Sequence, residues 1–240
     1  MRLYVFILII VVSSNLFSQE NLVYEKNFSA YQGYFTEKFG IICTIPKAFE
    51  DLNQYYVMWK VRNEPSKHTG SMYGPIFLST GKECIIAYPA LLSYFSVESK
   101  DNIKRMKLPF YPRSQILNEI RTSLGLFNSP FNLLNKDAVR INFDDYVTII
   151  AGKHARDMFN ADSVYLYDLP HADSVYFFDE SLEKMRKGKY PYCSGMFIYK
   201  RNRATMNVKF FYTEEGKKKQ DEYIRLMSKH IWYDERFKHE

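Results

Sequence analysis

Met206-Asn207-Val208-Lys209-Phe210-Phe211-Tyr212 runs directly into Thr213-Glu214-Glu215-Gly216. Met206, Val208, Phe210 and Tyr212 alternate with Asn207 and Lys209, which is the period of a strand with one face inward and one outward. Thr213 is a residue type that caps a helix, and Glu214 and Glu215 suit the positive end of the helix it begins. Tyr223, Ile224, Met227 and Ile231 then recur at helical spacing and make a buried stripe. A strand that turns at once into an amphipathic helix requires the helix to lay that stripe back on the sheet.

Further runs rich in Val, Ile, Phe and Tyr predict more strands at Phe39 to Ile45, Tyr56 to Val61, Pro75 to Ser79, Cys84 to Tyr88, Tyr146 to Ala151, Ser163 to Leu169, Ser174 to Phe178 and Met196 to Tyr199. Asn63 to Gly74 holds Pro65, Gly70 and Gly74 and reads as a long exposed loop. Ser114 caps a helix through Ile116, Leu117, Ile120 and Leu124 that stops at Gly125, and a short helix is expected from Asp179 through Leu182 and Met185 to Gly188. Ala161-Asp162-Ser163-Val164-Tyr165 recurs as Ala172-Asp173-Ser174-Val175-Tyr176, and two similar strand starts explain the echo. The order of elements predicts an α+β fold, a mostly antiparallel sheet covered by helices on at least one face, with a C-terminal amphipathic helix.

At the other end, Met1 and Arg2 precede an apolar run from Leu3 to Val12 and a polar exit, Ser13 to Gln19. That is the layout of a secretory leader, with cleavage after Ser18, or alternatively after Ser14. The run is about half the roughly 20 apolar residues that a spanning helix needs. No cysteine stands near it to carry a lipid, the first being Cys43, and no second long apolar segment follows. The expectation is residues 1–18 as a signal peptide, residues 19–240 as a single α+β domain, no integral anchor in the mature chain, and a periplasmic or extracellular location.

Composition agrees with a folded domain: 46% hydrophobic and 25% charged residues exclude a disordered chain. The formal charge of +6 becomes +5 once Arg2 leaves with the leader. Its basic clusters, Lys100 to Lys107, Lys184 to Lys189, Lys200 to Arg203 and Lys217 to Lys219, read as solvated faces, and no nucleic-acid motif accompanies them. An envelope protein or polysaccharide is the kind of partner expected, and nucleic acid is not. Three cysteines in an oxidising compartment leave one unpaired. Cys43 and Cys84 lie in strand-like runs that can be neighbours, so a bridge between them is expected, with Cys193 free. Asn27-Phe28-Ser29 is a glycan acceptor triplet only in a eukaryotic host.

Both ends of the mature chain, Phe39-Gly40-Ile41 to Ile45-Pro46 and the strand through Thr213-Glu214-Glu215-Gly216 into the final helix, resemble the PsbP-like α/β/α sandwich proteins. The resemblance implies a sandwich fold and a non-catalytic accessory role. It carries over no functional residue, and the long middle of the chain departs from it.

Catalytic motifs do not decide the function. Ser194, in Cys193-Ser194-Gly195, lacks the preceding glycine of a nucleophile elbow. Cys193 with His154 or His171 is a pairing that any such chain offers. His154 and Asp157 stand one helical turn apart, with His171 and Asp173 beyond, but no His-Glu-x-x-His or cysteine pair completes a metal site. Asp144, Asp145, Asp179 and Glu180 provide acids without a spacing to test. No cofactor and no metal are implied. What remains is aromatic: Tyr190-Pro191-Tyr192, Phe110-Tyr111-Pro112 and Trp232-Tyr233 can stack on a sugar or a protein. Tyr190, Tyr192, Trp232 and Tyr233 are therefore the candidate binding residues. A binding or accessory module of the cell envelope is favoured over a secreted hydrolase whose site is assembled from scattered residues.

Overall fold

The computed structural model describes residues 27–61, 64–89, 112–124, 141–169, 176–179, 184–187, 189–201 and 203–237. Its first half runs α1 (Phe28–Phe39), β1 (Ile41–Cys43), β2 (Phe49–Asp51), β3 (Tyr56–Val61), β4 (Glu64–Tyr73), β5 (Ile76–Ser79), β6 (Cys84–Ala87) and α2 (Pro112–Ser123). After a 3-10 turn at Phe143–Asp145 come β7 (Val147–Ala151), α3 (Lys153–Phe159), β8 (Ser163–Asp168), β9 (Tyr176–Asp179) and β10 (Lys184–Lys187). The chain then forms β11 (Tyr192–Tyr199), β12 (Met206–Tyr212), α4 (Glu214–Lys218), α5 (Gln220–Met227) and β13 (Ile231–Tyr233).

β12 lies at the centre of a seven-stranded sheet ordered β2-β5-β6-β12-β11-β8-β7, in which every neighbouring pair is antiparallel. The fold is α+β, and its sheet is covered on both faces. Met206, Val208, Phe210 and Tyr212 pack with Tyr31 and Phe35 of α1, Phe159 of α3 and Ile224 and Met227 of α5. Phe211, Cys193 and Phe197 join Ile116 and Ile120 of α2 in a second core on the other face. This corrects the expectation that Asn207 and Lys209 point to water. Because α2 covers their face, Lys209 is only 1% exposed.

Helix α1 went unread in the sequence, although Tyr31, Phe35 and Phe39 follow one another at four-residue steps and are all buried. The Asn27 side chain caps it, accepting from Ser29 N at 3.0 Å and Ala30 N at 3.3 Å. Gly40 ends it in the left-handed region at φ 57°, and a Cβ there would lie 2.1 Å from Phe237 Cγ, so only glycine fits. Arg203 then donates to Phe39 O at 3.0 Å and Gly40 O at 2.7 Å, satisfying carbonyls that the helix leaves open. The strand expected from Phe39 therefore begins only at Ile41.

Three further expectations change where backbone pairing overrides local pattern. The stretch expected as a loop from Asn63 to Gly74 contains β4, which pairs with β3 across a register shift at Trp59 to Val61. The expected helix from Asp179 to Gly188 contains instead β10, paired with β9 in the register Lys184↔Asp179 and Met185↔Phe178. So short a segment gains little as an isolated helix, whereas a ladder partner satisfies its backbone. These strands form a four-stranded sheet ordered β10-β9-β3-β4. The single final helix is in fact two, α4 and α5, divided at Lys219, and Ile231 leaves the helical stripe to pair with Cys43 in a two-stranded sheet.

Cys43 and Cys84 do not form the expected bridge. Cys43 lies in β1, which pairs with β13, while Cys84 lies in β6, between β5 and β12, and all three cysteines are free and buried. Among the described residues no helix is long and apolar enough to cross a membrane. Residues 1–26, which include the expected leader, lie outside the described residues.

Candidate functional site

One rim of the seven-stranded sheet gathers the start of β6, the end of β12, the start of β11 and the end of β8, because antiparallel neighbours bring opposite ends together. Onto this rim folds α4. Thr213 caps it, its Oγ1 accepting from Gly216 N at 3.1 Å, and Thr213 N donates to Glu83 O at 2.9 Å. The acidic first turn and basic last turn of α4 both match the helix dipole.

Tyr190 and Tyr192 stand on this rim, both half-buried. Tyr190 donates to Lys82 O at 3.3 Å, and Tyr192 makes a short hydrogen bond to the Glu214 carboxylate. Tyr223 joins them from α5, its hydroxyl 3.3 Å from Glu83 Oε2, which also receives Lys219 Nζ at 2.6 Å. That lysine bond holds the Glu83 carboxyl below its ordinary range. Lys217 reaches Asp168 Oδ1 at 2.8 Å while lying 5.9 Å from the centre of the buried Tyr212 ring. Partial burial raises the Tyr190 hydroxyl, and burial does so strongly for Tyr212, so both are neutral donors at neutral pH. The rim thus sets half-buried tyrosines, packed on the one core or the other, beside side chains of both charges.

The other two sequence candidates lie elsewhere. Tyr233 is not a surface ring: it is fully buried, with its hydroxyl 2.7 Å from Ala204 O and 3.1 Å from Ile198 O. Ile198 is about 20 Å along β11 from Tyr192 at strand rise, so Tyr233 belongs to the opposite end of that strand. Trp232, half-buried beside it in β13, pairs with Ile42. The four candidates do not form one patch, because the Ile231–Tyr233 segment pairs with β1 rather than ending a helix.

Among the nucleophile candidates, Ser194 is buried and donates to the Tyr212 hydroxyl at 3.2 Å, and burial pushes the Cys193 thiol far up. Neither is poised to attack a substrate. His154 and Asp157 are both exposed on α3, and among the described residues no group of three His, Cys, Asp or Glu side chains can hold a metal. Asp144 and Asp145 are exposed at the turn before β7. His171, Asp173, Glu180, Phe110 and Tyr111 fall outside the described residues.

Sequence reasoning missed a polar cluster under α2. Lys209 Nζ lies 2.6 Å from Glu119 Oε2, 2.7 Å from the Tyr167 hydroxyl and 2.6 Å from Asn207 Oδ1. Tyr167 donates to Glu119 Oε2 at 2.7 Å, and Asn207 Nδ2 to Glu119 Oε1 at 2.8 Å. Gly195 makes the arrangement sterically feasible, since a Cβ on it would come within 2.2 Å of Tyr167 Cζ. All three ammonium protons have acceptors, so the cluster pins α2 to the sheet rather than offering a reactive group. The legible sign was Glu119, a carboxylate on the helix one step from Ile120, facing a lysine inside a strand. The chain matches no family model, no curated protein and no solved structure.

Proposed function

We propose that the chain is an exported, non-catalytic binding or accessory module of the cell envelope, and that an envelope polysaccharide meets it at the tyrosine rim. One arrangement supports this reading: Tyr190 and Tyr192 present half-buried rings whose hydroxyls are already tied to Lys82 O and Glu214. Rings held before a ligand arrives lose little freedom on binding, and tyrosine offers a large apolar face with a polar tip. A sugar ring stacks on such a face, while Lys217, Asp168 and Glu83 around it suit hydroxyl groups. The export step rests on the leader reading of Met1 to Ser18, and N-terminal sequencing of protein from the native host tests it separately.

Binding is tested with purified cell-wall sacculi and soluble envelope polysaccharides as probes. Tyr192→Ala and Tyr190→Ala should each weaken retention about tenfold, the loss of one aromatic contact, while Trp232→Ala, at the other end of β11, should leave it unchanged. A broad screen of ester, peptide and glycoside substrates should give no turnover. Turnover that disappears in a folded His154→Ala variant would favour the hydrolase reading instead, and absence of binding to every probe would remove the polysaccharide.

A further inference from the structure

The seven-stranded sheet ends on β7, which pairs with β8 and, among the described residues, with no strand on its other side. β7 reads Val147-Thr148-Ile149-Ile150-Ala151, with no charge, no proline and no glycine. Natural sheets usually blunt an edge with lysine, proline or a bulge, because its unpaired backbone groups invite another strand. This edge carries none of those devices. Ile149 in its middle is 49% exposed and is the large exposed hydrophobic residue of the described chain.

We propose that β7 is a homodimer interface, in which two copies pair their β7 strands antiparallel about a two-fold axis through Ile149 and join their sheets into one. A two-fold pairing of identical strands is necessarily antiparallel and isologous, so each residue meets a defined counterpart. With the axis at Ile149, that residue faces its own copy, Thr148 faces the partner's Ile150, and Val147 faces the partner's Ala151. No like charges meet anywhere along the ladder.

Charge on the flanks selects this occupant and this register. Asp144 and Asp145 are exposed immediately before β7, while Lys153 and His154 are exposed immediately after it. An antiparallel copy places the acidic flank of one strand beside the basic flank of the other, twice over. About Ile149, the turn that ends at Asp145 in one copy and the helix that opens at Lys153 in the other flank the same end of the ladder, which brings each acidic flank near the partner's basic one. A shift of the axis to Thr148 or Ile150 displaces the two flanks by two residues relative to each other. On one face of the joined sheet, Ile149 and the half-buried Tyr165 opposite it on β8 would lie beside the same pair from the second copy. Cross-strand apolar pairs of this kind stabilise a ladder. One short strand buries less than a standard interface, so the dimer should be weak, with a micromolar or higher dissociation constant.

Sedimentation velocity of the purified full chain, from low micromolar to near-millimolar concentration, should show a monomer–dimer equilibrium. Ile149→Lys puts like charges face to face on the axis and should weaken it about tenfold or more. Asp145→Lys and Lys153→Glu alone should each weaken it, and the double exchange should restore it. Ile149→Cys should form an intermolecular disulfide on mild oxidation and Thr148→Cys should not, because only position 149 meets itself. The native cysteines are buried and will not confuse the result. Circular dichroism confirms that each variant is folded. A chain that stays monomeric throughout overturns the proposal and leaves the edge to another protein's strand. A dimer indifferent to Ile149→Lys overturns it in favour of a different surface. One that responds to Ile149→Lys but not to the charge exchange overturns the register.

Discussion

Replacing Lys209 with methionine should destabilise the protein by about 3 kcal/mol, at the lower end of the cost of breaking a buried ion pair. The substitution keeps most of the side chain's volume but removes the ammonium that three acceptors share. Glu119 is 26% exposed against 1% for Lys209, so water can recover part of what the carboxylate loses. Removing the other partner should be worse. Glu119→Leu takes the carboxylate away from the enclosed ammonium, and about 4 kcal/mol is expected. The double variant carries neither charge and should cost about 1 kcal/mol, the residue of imperfectly satisfied hydroxyl and amide groups. In a domain of this size about 3 kcal/mol lowers Tm by roughly 6–12 °C. Guanidinium unfolding at neutral pH, followed by circular dichroism and tyrosine fluorescence together, measures all four proteins. The reasoning is refuted if the two single changes simply add in the double variant, or if either costs less than about 1 kcal/mol, because a coupled pair must show a large interaction energy.

Gly195→Ala should act on the same cluster from below, costing about 3 kcal/mol by driving Tyr167 off the strand; unchanged thermal stability would show that the ring can move freely. Native protein should leave all three thiols unreacted with a thiol reagent and yield all three after unfolding, since each is buried and desolvation pushes Cys43 up to about 12; a thiol that reacts at once in folded protein contradicts this. His230, with Nδ1 2.8 Å from Thr44 Oγ1, is held below the ordinary histidine range first by burial and then by Lys229. The unfolded chain therefore takes up this proton first as pH falls through about 6.5, so the stability it contributes is complete above that value and drains away below it. His230→Gln should flatten the stability slope on the acid side of neutrality, and an identical slope in both proteins would assign it to other groups. Asn27→Ala should cost about 1 kcal/mol through loss of the α1 cap, measured by denaturant midpoint, and a neutral result would mean that water or another group serves the freed amides.

Local pattern was enough for much of the frame. The Thr213 cap and the Ile116 and Ile120 stripe each involve residues within a turn of one another, and the structure keeps both, whereas of the alternation in Met206–Tyr212 it keeps the inward face and not the outward one. The Ser163–Asp168 strand and the C-terminal burial of Ile224 and Met227 were legible for the same reason. Of the aromatic candidates, Tyr190 and Tyr192 stand close together in the chain, Tyr192 packed on one core and Tyr190 on the other, whereas pairing β13 with β1 carries Trp232 and Tyr233 away from them.

Other features depended on partners far away in the chain. Whether Lys184–Lys187 is helix or strand turned on β9 offering its backbone, and whether Glu64–Tyr73 is loop or strand turned on β3. The odd-numbered face of β12 became interior only because α2, some ninety residues earlier, lies over it and brings Glu119 to Lys209. Residue types and spacing carry the energetics of neighbours one to four positions apart. A buried lysine, a pair of separated thiols or a divided aromatic patch is settled by which distant surfaces meet, and that is set when loop closure is offset by burial of both sheet faces at once.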